Sequence, residues 1–209
     1  LLSDEKLVSL MRTAGSRVLI AYGSDAESDI WSKAMRIRTQ VPSLKVVLRV
    51  APHDEAVGAA GALPEGVADF NALRSAEPSD RLMSGRDIAP TDIAAYFHTG
   101  GTTGAPKLAR HSHGAQVFTA WASVQVAGMN ENGISINGYP LFHVAGVLPA
   151  SLSSLSAGVE VIIPTPSLLR NKEVLANYWK LVAKYRPTSL SAVPTVLAAD
   201  ARLATASPL

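Results

Sequence analysis

The sequence predicts an α/β fold, with a largely parallel, doubly wound sheet flanked by helices, and three observations carry that expectation. Short apolar runs rich in β-branched residues, such as 17–22 (RVLIAY), 45–50 (KVVLRV) and 159–163 (VEVII), have glycine or proline close by, as buried parallel strands do. Between such runs lie longer stretches whose apolar residues recur at helical spacing. One strand also runs straight into a glycine- and threonine-rich loop, the place where open α/β sheets bind ligands.

Taken in order, residues 17–22 read as a strand ended by Gly23, and Ser24-Asp25 as a helix cap. Ile30, Trp31, Ala34, Ile37 and Val41 then mark one helix face, closed by Pro42, before the strand at 45–50. Residues 1–50 thus form a β-α-β unit, whose crossover is expected to be right-handed. Residues 51–91 carry Pro52, Gly58, Gly61, Pro64, Gly66, Pro78, Gly85 and Pro90. They read as a long irregular connection with room for one helical turn from Val67 to Leu73.

Residues 92–209 resume the alternation. Strands are expected at 92–97, 134–139, 159–163 and 189–193, and helices at 112–127, 143–157, 172–185 and 195–203. In the first of these helices, Val117, Ala120, Trp121 and Val124 lie on one face, and Trp121 is expected in the core. Pro149 sits inside the second helix, and Gly158 terminates it.

Composition narrows the function classes. A net charge of +2 over 209 residues, with no long run of like charges, points away from nucleic-acid binding. No apolar stretch approaches the ~18 residues needed to span a bilayer, and no signal-like start is present. The absence of cysteine excludes disulfides and a cysteine nucleophile, and it fits a reducing compartment. The expectation is a cytoplasmic protein. Because the chain starts without methionine and stops after Ala-Ser-Pro-Leu, it is read as a piece of a longer protein whose remainder is a partner of this part.

The chemistry concentrates at residues 98–107 (HTGGTTGAPK). Gly100, Gly101 and Gly104 admit backbone angles closed to other residues and let N–H groups approach an anion. Thr99, Thr102 and Thr103 add hydroxyls that can donate to phosphate oxygens or ligate phosphate-bound magnesium. Lys107 supplies a mobile positive charge, and Pro106 stiffens the exit. Read between a strand and a helix, the string is a polyphosphate cradle. It is not the Walker loop, in which lysine directly follows glycine and precedes Ser or Thr, nor the dinucleotide fingerprint.

The string resembles the Thr-Ser-Gly-Thr-Thr-Gly-x-Pro-Lys signature of the AMP-binding, acyl-adenylate-forming superfamily. Further along, 110–113 (RHSH), 139–146 (YPLFHVAG), 157–163 and 185–195 (YRPTSLSAVPT) resemble later segments of that family in the same order. The resemblance is good over about residues 90–203 and is one of pattern only over 1–50. It implies the large N-terminal domain of an acyl-CoA synthetase. ATP phosphate contacts would then fall on Thr99, Gly100, Gly101, Thr102, Thr103, Gly104 and Lys107. Gly100 stands where the family has serine, and Leu108 where it has glycine. The resemblance also implies ATP, Mg2+ and CoA, and a small carboxylic acid, a fatty acid by preference, as substrate. The family's adenine site, ribose-binding aspartate and catalytic lysine match nothing here, so no catalytic residue is assigned and this chain alone is expected to be inactive.

By the same resemblance, Phe142 and His143 border the acyl and CoA pocket. His143 has an equal reading as the cap of the following helix. His111 and His113 are poorly spaced for one metal, and no protein-only metal site is expected. His98 is expected to support the loop. The alternatives from other classes are a non-catalytic nucleotide-binding α/β module and, within the superfamily, a peptide-synthetase adenylation domain. A serine hydrolase lacks its Gly-x-Ser-x-Gly elbow here.

Overall fold

The computed structural model describes residues 2–23, 29–51, 61–99, 107–165 and 167–192. The chain forms two compact units, residues 1–88 with 98–109, and residues 89–97 with 110–209.

The first unit opens with helix α1, Asp4–Ala14, which the reading of the sequence did not anticipate. Its signals are nonetheless present. The Ser3 hydroxyl accepts from the Lys6 N–H, Asp4 and Glu5 fill the first turn, and Arg12 lies in the last, matching side-chain charge to the helix dipole. Gly15, at φ 61°, takes the left-handed position that ends the helix. Strand β1 (Val18–Tyr22), helix α2 (Ile30–Ile37) and strand β2 (Val46–Val50) follow as expected. The helix ends before Pro42, in a 3-10 turn at Arg38–Gln40.

Strand β3 (Val67–Asp69) and helix α3 (Phe70–Ala76) occupy the stretch where only a helical turn was foreseen. Three residues are too few for periodicity to show, and β3 exists because β2 offers it a ladder. The sheet order is β1-β2-β3, all parallel, with Val18 opposite Val46 and Val47 opposite Val67. Val8, Ile37 and Val41 form the core on one face, with Leu7, Met11, Leu19 and Leu44 packed around them. The Arg12 guanidinium donates to the Gln40 carbonyl, and Arg36 pairs with Asp4 at 3.0 Å, tying α1 to α2.

Strands β4 (Ile93–Thr99) and β5 (Lys107–Ser112) form a separate two-stranded sheet, with residues 98–99 and 107–109 in the first unit and the rest in the second. The connection between them is too short for the dozen or more residues that a parallel crossover requires, so the pair is a hairpin. Helix α4 (His113–Ala127) follows directly, its first N–H groups donating to the Asp92 and Pro90 carbonyls. Strands β6 (Ile134–Gly138), β7 (Glu160–Ile162) and β8 (Ser189–Ala192) make a second parallel sheet in the order β7-β6-β8. Helices α7 (Lys172–Ala176) and α8 (Tyr178–Tyr185) split the expected 172–185 helix at Asn177. Ile136, Leu169, Val174 and Tyr178 form the core between helices and sheet. The other expected helix begins as α5 (Val144–Val147), widens into a π-turn at Leu148–Leu152 and closes as α6 (Ser153–Ser156). The helix expected at 195–203 lies outside the described residues.

Parallel sheets flanked by helices are therefore present, but as two three-stranded sheets and a hairpin rather than one continuous sheet among the described residues. Helix α4 departs from expectation in its facing. Ala120 is buried, whereas Val117 and Trp121 are exposed, Trp121 at 57% with its ring 5.9 Å from that of Phe118.

Two predictions follow from this packing. Ile136 is 1% exposed and Val126 90%, so Ile136→Ala is expected to lower unfolding stability by about 2–5 kcal/mol. Val126→Ala is expected to change it by less than about 0.5 kcal/mol in the same urea titration. The hydrogen bond from Arg36 holds the Asp4 carboxyl below its usual range, aided by the charges of Arg36 and Lys33. A depressed native pKa contributes stability above the unfolded value of about 4, and that contribution fades as pH falls through the native value. Asp4→Asn is expected to flatten the fall of Tm between about pH 5 and pH 2, and an unchanged profile would exclude this linkage.

Candidate functional site

The predicted cradle hangs from the β4–β5 hairpin, with Thr99 the last residue of β4 and Lys107 the first of β5. The Thr99 hydroxyl donates to the Lys107 carbonyl at 3.4 Å, so the segment that leaves at Thr99 returns to the neighbouring backbone. Both side chains are exposed. Gly100, Gly101, Thr102, Thr103 and Gly104 lie outside the described residues.

One expectation is corrected here. The loop joins two strands, not a strand and a helix, and α4 starts only after β5. The helix N-terminus at His113 is six residues beyond Lys107, so its dipole, which acts within the first turn, does not act on the cradle's exit. Residues 107–112 (KLARHS) hid this strand because they carry a single large apolar side chain and no β-branched residue. Pairing with β4 makes them a strand. His98 is exposed beside Thr99, while His111 packs edge-on against Phe97 at 5.0 Å between ring centroids. His113 opens α4.

In the second unit, Phe142 and His143 lie in the turn between β6 and α5. His143 is the N-cap of α5, its Nδ1 accepting from the Ala145 N–H at 3.2 Å. The capping reading of this residue is therefore realised. The turn is tight. Gly146 is buried with its α-carbon against the Pro140 carbonyl, where an added Cβ would collide with that oxygen.

Beside the turn opens a cleft of about 830 Å3, with Met129, Tyr139, Ala145, Pro149, Ser154 and Ser191 among its lining residues. No charged side chain lines it among the described residues. Phe142 and His143 sit between two of its lining residues, Tyr139 and Ala145, without lining it themselves. The sequence did not reveal this cleft, because its walls come from β8, the π-turn and the turn after α4, which are brought together only by folding.

Two polar residues, Asn137 buried and Ser151 half-buried, also escaped the sequence reading. Asn137, 1% exposed at the end of β6, accepts from the Tyr139 N–H at 2.8 Å and donates to the Ser151 hydroxyl at 3.3 Å. Ser151 in turn donates to the Gly146 carbonyl at 2.6 Å. The available signal was an asparagine two positions after Ser135 in a short strand (ISING), where a buried amide must find partners.

Gly146→Ala is expected to destabilise the fold by about 1–3 kcal/mol through this overpacking, read as a shift in the urea midpoint. Unchanged stability would mean that the turn does not approach Pro140 so closely.

Comparison with known proteins supplies the context for this geometry. Residues 1–207 match the family described as AMP-binding enzyme. The chain is 26% identical over 205 residues to the marinolic acid–CoA ligase of Pseudoalteromonas, covering 95% of this chain and 30% of that protein. It is 28% identical over 185 residues to human long-chain fatty acid transport protein 3, covering 87% of this chain and 24% of that protein. Among solved structures, an anthranilate CoA ligase in complex with anthranoyl-AMP superposes with a TM-score of 0.73 at 23% identity, over 95% of this chain and 35% of that one. That likeness carries the fold. The chain thus spans about a third or less of each of these three proteins, and over nearly all of its length it belongs to the AMP-binding enzyme family.

Proposed function

We propose that this chain is the phosphate-cradling part of an ATP-dependent acyl-CoA synthetase acting on a carboxylic acid, with fatty acids the favoured class. The observation that carries this reading is the string at residues 99–107 on a hairpin, followed in order by the turn at residues 140–143, in a chain of the AMP-binding family. In the first half-reaction, a carboxylate oxygen of the acid attacks the α-phosphorus of ATP. The bond to the bridging oxygen breaks, and pyrophosphate leaves with its electron pair. In the second, the CoA sulfur attacks the acyl carbonyl of the adenylate, the thiol proton passes to a base, and AMP departs.

The chain's own contribution to the first step is to hold and neutralise. The exposed Lys107 ammonium and the hydroxyls of Thr99, Thr102 and Thr103 suit the β- and γ-phosphates, and charge set in advance beside a leaving group lowers the barrier. Magnesium bound to the polyphosphate would add further charge neutralisation while asking few ligands of the protein. Gly100 removes a hydroxyl at the position where the family pattern has serine, leaving three hydroxyls to share the load. In the second unit, the uncharged cleft beside Tyr139 and Ala145 suits an apolar acyl chain, with Phe142 and His143 at its border. No helix among the described residues is long and apolar enough to cross a membrane, and we place the enzyme in the cytoplasm.

The test is pyrophosphate release by the full-length protein across a panel of carboxylic and amino acids, followed by thioester formation on adding CoA. Lys107→Ala is expected to lower kcat/KM for adenylation by about 100-fold with the fold intact. Equal activity in the variant would remove Lys107 from the site. A preference for amino acids with no CoA thioester would favour the peptide-synthetase alternative. The chain alone is expected to form no CoA thioester.

A further inference from the structure

We propose that Asn137 and Ser151 are positioning residues which set the shape of the 830 Å3 cleft, and through it the affinity for the acid. The inference rests on the synthetase reading above. The two side chains form a polar chain with one possible direction. The Tyr139 N–H needs an acceptor, so the Asn137 oxygen faces it and the Asn137 amide nitrogen must donate to the Ser151 hydroxyl. That hydroxyl then spends its single proton on the Gly146 carbonyl. Strand β6, the π-turn and α5 are thereby joined through one buried asparagine.

The backbone these bonds hold belongs to the walls of the cleft. Tyr139 is bonded directly, Ala145 precedes the bonded Gly146, and Pro149 and Ala150 precede Ser151 in the π-turn; all four line the cleft. Such π-turns recur at functional sites because they shift side chains relative to a regular helix.

A neighbouring serine separates this linking role from ordinary helix satisfaction. Ser153, the first residue of α6, is fully buried, and its hydroxyl donates to the Leu148 carbonyl at 3.0 Å, within the same crossover. It stabilises the widened helix, whereas Ser151 ties that helix to the sheet.

The experiment compares Ser151→Ala, Asn137→Ala, the control Ser153→Ala and the conservative Ser151→Thr. Amide exchange in this chain tests the holding role without reference to activity. Ser151→Ala and Asn137→Ala should speed exchange at Tyr139 and Ala145 about tenfold or more over that at Ile136, and Ser151→Thr should restore it. Uniform acceleration across the unit, or none, would overturn the proposal. In the full-length enzyme the same two variants should raise KM for the acid about fivefold or more while KM for ATP stays within about twofold. Ser153→Ala should lower Tm without that split. Equal rises in both KM values, or a split that Ser153→Ala reproduces, would also overturn it. If the full-length protein forms no acyl-adenylate from any acid, the synthetase reading fails and the claim about acid affinity falls with it. The exchange measurement then decides the positioning role alone.

Discussion

Strand β6 lies between β7 and β8 with all three running parallel, and a parallel neighbour can be reached only by carrying the chain back across the sheet. That requirement places the other parts of the second unit. The return from β6 to β7 is made by α5, the π-turn and α6, and the return from β7 to β8 by α7 and α8. Each crossover must cover apolar surface on the sheet, which is why Ile136 meets Val174 and Tyr178. The first unit obeys the same constraint with α2 between β1 and β2.

The hairpin is the exception, and it carries the ends of the proposed cradle. A two-residue turn is enough to reverse a hairpin, so the longer glycine-rich connection from Thr99 to Lys107 is not demanded by the reversal itself. Anchoring its two ends side by side, with the Thr99 hydroxyl on the Lys107 carbonyl, fixes where the connection starts and finishes. A ligand bound there would meet loop groups and a lysine, without the dipole of an adjoining helix.

Proline in a helix removes a donor and crowds the preceding turn, and at Pro149 the chain answers with a π-turn lined by serines. Ser151 and Ser153 both donate back to carbonyls five residues earlier, at Gly146 and Leu148. The buried Ser153 hydroxyl and the half-buried Ser151 hydroxyl would be unfavourable without these partners. With them, the widened segment becomes a defined shape. The same segment meets the turn at residues 140–143, where Gly146 allows the Pro140 carbonyl to come close.

The sequence by itself determined the α/β class, the positions of β1, β2, β4, β6, β7 and β8, and the segment that joins Thr99 to Lys107. Those features rest on local chemistry, namely runs of β-branched residues, helical spacing, and glycine with proline at their ends. Helix α1 was also legible in Ser3, Asp4, Glu5 and Gly15, and in Leu7, Val8, Leu10 and Met11 at helical spacing. Only the tertiary structure decided what depends on partners distant in the chain. Strand β5 exists because β4 lies beside it, and β3 because β2 does. Trp121 is exposed although its spacing suits a core face, since helical periodicity identifies a face without saying what covers it. The cleft and the bonds linking Asn137, Ser151 and Gly146 join residues from separate elements, and hydrogen bonds across such distances leave no periodic trace in the sequence.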